Sequence, residues 1–216
     1  MNRSSTGALA NASRAAIGGR GALVTLITLV AALVALTIGA GGASAAGSSF
    51  GSKLNDTVQP SNAASPHQCE SDPGSKCTWV MGEAYGNPGG EQAPKSGYLR
   101  KLKLVAGAPG SFQLQIVKTT IDGHTQVKRS GPTLSYVGQS QANYDNDSYN
   151  VEKFKTKVKI KTGERLAIKT AETSTLRCSS GGDNTLQHSP PLKKRDGKRI
   201  YDETDGCWML IEGKVR

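Results

Sequence analysis

Phe154-Lys155-Thr156-Lys157-Val158-Lys159-Ile160, then Lys161-Thr162-Gly163-Glu164, then Arg165-Leu166-Ala167-Ile168-Lys169-Thr170: this stretch decides the fold class. Phe154, Thr156, Val158 and Ile160 alternate with lysines, the two-residue period of a strand that buries one face. Thr162-Gly163-Glu164 interrupts the period as a turn, and Leu166, Ile168 and Thr170 resume it, which predicts an antiparallel pair. The same grammar recurs upstream. Tyr98, Leu102 and Leu104 share one face and Lys101 and Lys103 the other. Ala106-Gly107-Ala108-Pro109-Gly110 turns the chain, and Phe112, Leu114 and Ile116 continue the alternation, so these two segments predict a hairpin. Trp208 to Val215 reads as the last strand. Outside the N-terminal segment no window carries a 3.6-residue apolar repeat over three turns. Strands at intervals of about 8–12 residues, punctuated by Gly and Pro, predict an all-β, antiparallel, jelly-roll-like β-sandwich.

The 216 residues suffice for one core and are too few for two comfortable ones. No repeat of about 20–50 residues is visible, which excludes propellers and solenoids. The net charge of +10 points to acidic partners. Residues 1–45 hold Arg3, Arg14 and Arg20 and no acid; an apolar run spans 22–40, and Gly41-Gly42-Ala43-Ser44-Ala45 follows. A basic start, an apolar helix and an A-x-A site predict a signal peptide cleaved after Ala45. The alternative is a retained anchor, because a helix of that length nearly spans a hydrocarbon core of about 30 Å. Both readings place the folded part outside the cytoplasm, secreted or in the cell envelope, touching membrane only through residues 1–45 if they are retained.

Cys69, Cys77, Cys178 and Cys207 all lie beyond that segment, and their even number suits an oxidising compartment. Pairing Cys69 with Cys77 and Cys178 with Cys207 closes two local polar loops and is the favoured connectivity of three. Residues 46–75, rich in Ser, Gly, Asn, Asp and Pro, read as a flexible lead-in attached near the first cysteine pair. Residues 76–216 then form the sandwich domain, with a long polar loop over 179–206 tethered at both ends by the second bond.

Cys77-Thr78-Trp79-Val80, Gly97-Tyr98-Leu99-Arg100-Lys101-Leu102, Phe112-Gln113-Leu114-Gln115-Ile116 and the run from Phe154 to Ile168 follow an export-type N-terminus. Together they resemble a group of small secreted β-sandwich proteins of soil actinobacteria, jelly-roll-like and of uncharacterised function. The resemblance covers about Cys77 to Val215. The strand, x-x-G-[DE]-x, strand piece is also similar to jelly-roll sandwiches that include some carbohydrate-binding modules. What this implies is a fold and an export route; the shared motif carries no catalytic residue.

Catalytic patterns are absent from the sequence. His67, His124 and His188 form no H-x-H or H-E-x-x-H, there is no G-x-S-x-G or S-x-x-K, and no Gly-rich phosphate loop opens a helix. Exposed loop positions are expected for all three histidines. No catalytic residue, cofactor or metal is therefore assigned; Asp145 and Asp147, in an Asx-rich turn lacking the EF-hand glycine and glutamate, are the only calcium candidates. Tyr144 and Tyr149 flank that turn and are candidates for stacking on sugars. Trp79 and Trp208, each beside a cysteine, are expected in the core against a disulfide, with an exposed sugar platform as the alternative.

Lys153, Lys155, Lys157, Lys159 and Lys161 are the most unusual feature. On a strand they share one face at intervals of about 6.8 Å and form a row of ammonium groups. Lys101 and Lys103 join that field if their strand lies alongside. The plain reading is a solvated face that discourages edge pairing. The functional one is a polyanion site for an anionic wall polymer. Nucleic acid is not expected, since no aromatic side chains for base stacking are interleaved. The expected function is a secreted or cell-envelope non-catalytic protein binding carbohydrate or anionic polymer; the alternative is an extracellular hydrolase acting on polysaccharide or cell-wall polymer.

Overall fold

The computed structural model describes residues 47–54, 57–58, 66–67, 69, 76–106, 109–138, 149–170 and 176–216; for 57–58, 66–67, 149–150 and 180–184 it describes the backbone alone. The strands are β1 (Ser48–Gly51), β2 (Thr57–Val58), β3 (Pro66–His67), β4 (Thr78–Met81), β5 (Gly97–Val105) and β6 (Gly110–Thr119). They continue with β7 (Thr125–Tyr136), β8 (Tyr149–Ile160), β9 (Arg165–Thr170), β10 (Leu176–His188), β11 (Glu203–Met209) and β12 (Ile211–Val215). The predicted fold class is the observed one: an all-β sandwich of two antiparallel sheets. One sheet has the order β1-β12-β5-β8-β2; the other runs β11-β10-β4-β9-β6-β7, with β3 against β10.

Between the sheets lie the apolar halves of the alternating segments. Leu99, Leu102, Leu104 and Ile160 of the first sheet face Trp79, Phe112, Leu114, Ile116 and Ile168 of the second, all nearly solvent-free. Phe154 meets Phe112 edge-on, with centroids 5.9 Å apart. The disulfides are Cys69–Cys77 and Cys178–Cys207, as the loop-closing pairing expects, with Cα atoms 5.7 and 5.6 Å apart.

Strand pairing differs from the sequence reading. β5 pairs with β12 and β8, while β6 pairs with β7 and β9, so the segments at 98–105 and 112–116 are not a hairpin but belong to opposite sheets. β8 and β9 likewise face each other across the core. A period of two records which side of its own strand a residue occupies; it is equally satisfied by a hairpin or by an arch between sheets. Here the arch is fixed by Glu164. Its carboxylate accepts the Lys161 N–H at 2.7 Å and both terminal nitrogens of Arg129 on β7 at 3.0 Å, and Gly163 takes a positive φ of 77° in the turn.

Two boundaries also move. The lead-in is not free up to the first cysteine: β1 is zipped onto β12, and Phe50 and Leu54 are buried at 1% and 2% exposure. The stretch at 179–206 is not a single loop, because β10 runs on to His188 and β11 starts at Glu203. Only 189–202 connects them. That connection lies on the outer face of the larger sheet, where Leu192 packs with Val80, Val117, Val127 and Ala167. The Leu192 N–H donates to the Thr78 hydroxyl at 3.0 Å and its carbonyl accepts from Gln115 Nε2 at 3.0 Å, so the buried backbone is satisfied.

Candidate functional site

The outer face of the five-stranded sheet gathers the lysines. Lys153, Lys155, Lys157 and Lys159 on β8 are all exposed, with Lys161 exposed just past the strand, and Phe154, Val158 and Ile160 point inward. The face assignment read from the alternation holds. Register then adds what alternation alone does not contain. Lys101 on β5 stands directly opposite Lys155 on one side and Lys214 of β12 on the other. Three ammonium groups therefore form a transverse row over strands about 4.8 Å apart. The next row is Glu212, Lys103 and Lys153. Lys103 is neutralised there: its Nζ donates to the Leu54 carbonyl at 2.7 Å and lies 3.2 Å from Glu212 Oε2. A shift in register at Arg100 turns both Arg100 and Lys101 outward, so Tyr98, expected on the face of Leu102 and Leu104, lies outside with Arg100 5.1 Å over its ring, and Leu99 takes the inner place.

A shallow groove of about 320 Å³ runs between Lys101, Lys153, Lys155 and Lys214. Like charges directly opposite on neighbouring strands are destabilising. Among the described residues no carboxylate pairs with Lys214, Lys101 or Lys155 as Glu212 pairs with Lys103 beside them. Edge protection does not account for Lys101 either, since β5 is paired on both sides.

The remaining candidates fare differently. Tyr144, Asp145 and Asp147 lie outside the described residues, and of Tyr149 only the backbone, in β8, is described. Among the described residues no group of three His, Cys, Asp or Glu side chains is placed to hold a metal ion. Nor is any described helix long and apolar enough to cross a membrane. His124 is partly exposed beside Asp122, at 2.9 Å. His188 contradicts the expectation of an exposed loop residue: it is fully buried at the end of β10, under the 189–202 connection. Burial, with Arg199 nearby, pushes its imidazole down to about 4 against the pull of Asp202.

The two tryptophans part company. Trp79 is the core residue expected, 2% exposed and donating its indole N–H to Gln187 Oε1 at 2.9 Å. Trp208, also expected in the core against a disulfide, turns to the outside of edge strand β11 and meets Tyr85, with ring centroids 5.6 Å apart. These two rings line a cleft of about 400 Å³ whose rim carries Glu83 and Glu91. Neither Tyr85, Glu83 nor Glu91 stands out in the sequence, because they lie in a turn-rich stretch with no period. Only the tryptophan itself, flagged as an alternative sugar platform, pointed there.

With this geometry in hand, no protein-family model matches the chain, and no curated protein and no solved structure matches it.

Proposed function

We propose that the protein is a non-catalytic β-sandwich of the extracytoplasmic space that binds anionic polymer on the outer face of its five-stranded sheet. The observation that carries this reading is the unrelieved Lys214–Lys101–Lys155 row, crossed by the longitudinal row of β8. An incoming polyanion relieves the mutual repulsion and releases counterions, so its binding is favoured where the free protein is strained electrostatically. The two disulfides are compatible with that compartment. An anionic wall polymer is the natural ligand class for an exported protein with a basic face.

Titration with soluble poly(glycerol phosphate) tests it. Binding should weaken by about tenfold or more between low and physiological salt, since exposed charges are screened within about 8–10 Å. Replacing Lys155, Lys157 and Lys159 by glutamine should abolish most of it. Replacing Lys193, Lys194 and Lys198, exposed on the opposite side of the sandwich, removes the same charge and should change little. Equal losses in the two triple variants would mean that net charge alone attracts the polymer and that no site exists.

A second reading, an extracellular hydrolase acting on polysaccharide or wall polymer, draws on Glu83 and Glu91 at the rim of one cleft. Glu91 is held by Arg165 at 3.6 Å, which suits a fixed acceptor better than a proton donor. Release of reducing ends by the wild type, lost in Glu83→Gln, would favour the enzyme.

A further inference from the structure

We propose that the Tyr85–Trp208 cleft is a saccharide site that takes a pyranose unit without anionic substituents. The inference does not rest on the basic face; it concerns different residues and a ligand of different charge. Trp208 and Trp79 supply the first argument. A tryptophan that serves the core buries its ring and satisfies its indole N–H, and Trp79 does both. Trp208 does neither. It is partly exposed, and its indole N–H has no hydrogen bond among the described residues. Its ring forms one wall of a concavity of about 400 Å³.

The second argument is that the cleft is built in advance. Ser52, fully buried, donates its hydroxyl to the Met209 carbonyl at 2.6 Å and accepts the Tyr85 N–H at 3.1 Å. One hydroxyl thus locks the backbone of Tyr85 to the residue next to Trp208. Lys53 N–H donates to the Tyr85 carbonyl at 2.9 Å, and the Tyr85 ring leans on Leu54, Val105 and Leu210. The loop that completes the wall is tied to β1 as well: Asn87 Nδ2 donates to the Gly51 carbonyl at 3.0 Å, and Gly51 N–H to the Gly90 carbonyl at 2.6 Å. Arg165 secures the rim, donating through Nη1 to the carbonyls of Met81 and Gly82 at 3.0 and 2.6 Å while Nη2 faces Glu91. Such preorganisation lowers the ordering cost of binding.

Chemistry then selects the ligand. The apolar C–H face of a pyranose covers an exposed aromatic ring, and its hydroxyls are donors in search of fixed acceptors. Glu83 and Glu91 present carboxylate oxygens at the rim, and charge-assisted hydrogen bonds to them orient the sugar. The same carboxylates repel uronic or phosphorylated sugars. The cleft and the basic face are therefore complementary in charge, and the Ser52–Leu54 segment joins them: Leu54 accepts from Lys103 of the basic face while Lys53 holds Tyr85.

The test uses the full protein and hexasaccharides of β-1,4-linked glucose and β-1,4-linked N-acetylglucosamine, with hexagalacturonate as the anionic counterpart. Because the chain has two tryptophans and one is buried, the indole N–H resonances in a proton–nitrogen NMR spectrum report the site directly. A neutral hexasaccharide is expected to shift the Trp208 resonance and leave that of Trp79 in place, with little dependence on salt. By calorimetry, Trp208→Ala should weaken binding by about tenfold or more and Glu83→Gln by about threefold. Glu83 is exposed, so its variant folds even if Trp208→Ala does not. The Lys155, Lys157 and Lys159 triple variant should bind the neutral sugar unchanged. No shift of Trp208 at about 10 mM of either neutral hexasaccharide would overturn the proposal, as would unaltered affinity in Glu83→Gln or equal binding of hexagalacturonate.

Discussion

The two sheets of this sandwich treat their outer faces in opposite ways. On the seven-stranded sheet, Val80, Val117, Val127 and Ala167 form a second apolar layer, and Leu192 is pressed onto it from the 189–202 connection. On the five-stranded sheet only one end of the outer face is covered, where Leu54 and Tyr85 pack with Val105 and Val151, and beyond it Lys101, Lys155, Lys157 and Lys159 stand in solvent. A roofed face adds apolar burial and contributes to stability. An open face lined by one sign of charge contributes nothing of that kind and leaves a field for a partner. The contrast teaches where to look for function in a fold whose strands all alternate alike.

The largest expected effect lies under the roof. Leu192→Ala removes the plug of the outer apolar layer and should cost about 2–5 kcal/mol in urea unfolding, as deletions of fully buried leucine side chains do. A cost below about 1 kcal/mol would mean that the 189–202 segment merely rests on the sheet.

The next effect is on acid stability and belongs to His188. The unfolded chain takes up this proton near 6.5, whereas burial and Arg199 hold the folded imidazole down to about 4. Between those values the unfolded state binds more protons, so stability is complete above about 6.5, declines as pH falls toward 4, and levels off below. The whole descent is worth about 3 kcal/mol. His188→Gln should flatten this part of the stability profile whatever it does to the midpoint at pH 7. An unchanged slope would show that protonated His188 is accommodated in the folded state.

The smallest effect sharpens the other side of the comparison. Replacing Lys155, Lys157 and Lys159 by glutamine should shift stability by no more than about 0.5 kcal/mol, since solvated lysines fold as well without their charge. A slight gain is the expected sign, because Lys155 opposes Lys101 without a carboxylate between them. A large loss would place these side chains in a packed interface and end the analogy of a bare face.

Much of this was legible in local text. The inward set Phe154, Val158 and Ile160 and the outward lysines follow from spacing alone, because strand alternation is a property of neighbouring residues, while local loop closure favoured the observed disulfides among three connectivities. Tyr85 beside Trp208 was not legible: they meet because β1 brings Ser52 between the loop after β4 and the end of β11. His188 was misread for a related reason. Its neighbours in sequence are polar turn residues, yet Thr78 pairs with it on β4 and the 189–202 segment closes over it.

By itself, then, the amino-acid sequence determined that the chain is all-β, which side chains of the 154–160 strand face inward and that the same strand carries a lysine row, and it favoured the observed disulfides among three connectivities. Each of these depends on the geometry of a single strand or a short loop. Tertiary structure alone decided that β5 and β6 separate into different sheets, that Lys101 meets Lys155 and Lys214 on neighbouring strands, and that Leu192 roofs one outer face while the lysine-bearing part of the other stays open. Those outcomes depend on which strands pair and which surfaces pack. Two-residue alternation is compatible with many pairings, and the choice among them is made by burial summed over the whole core.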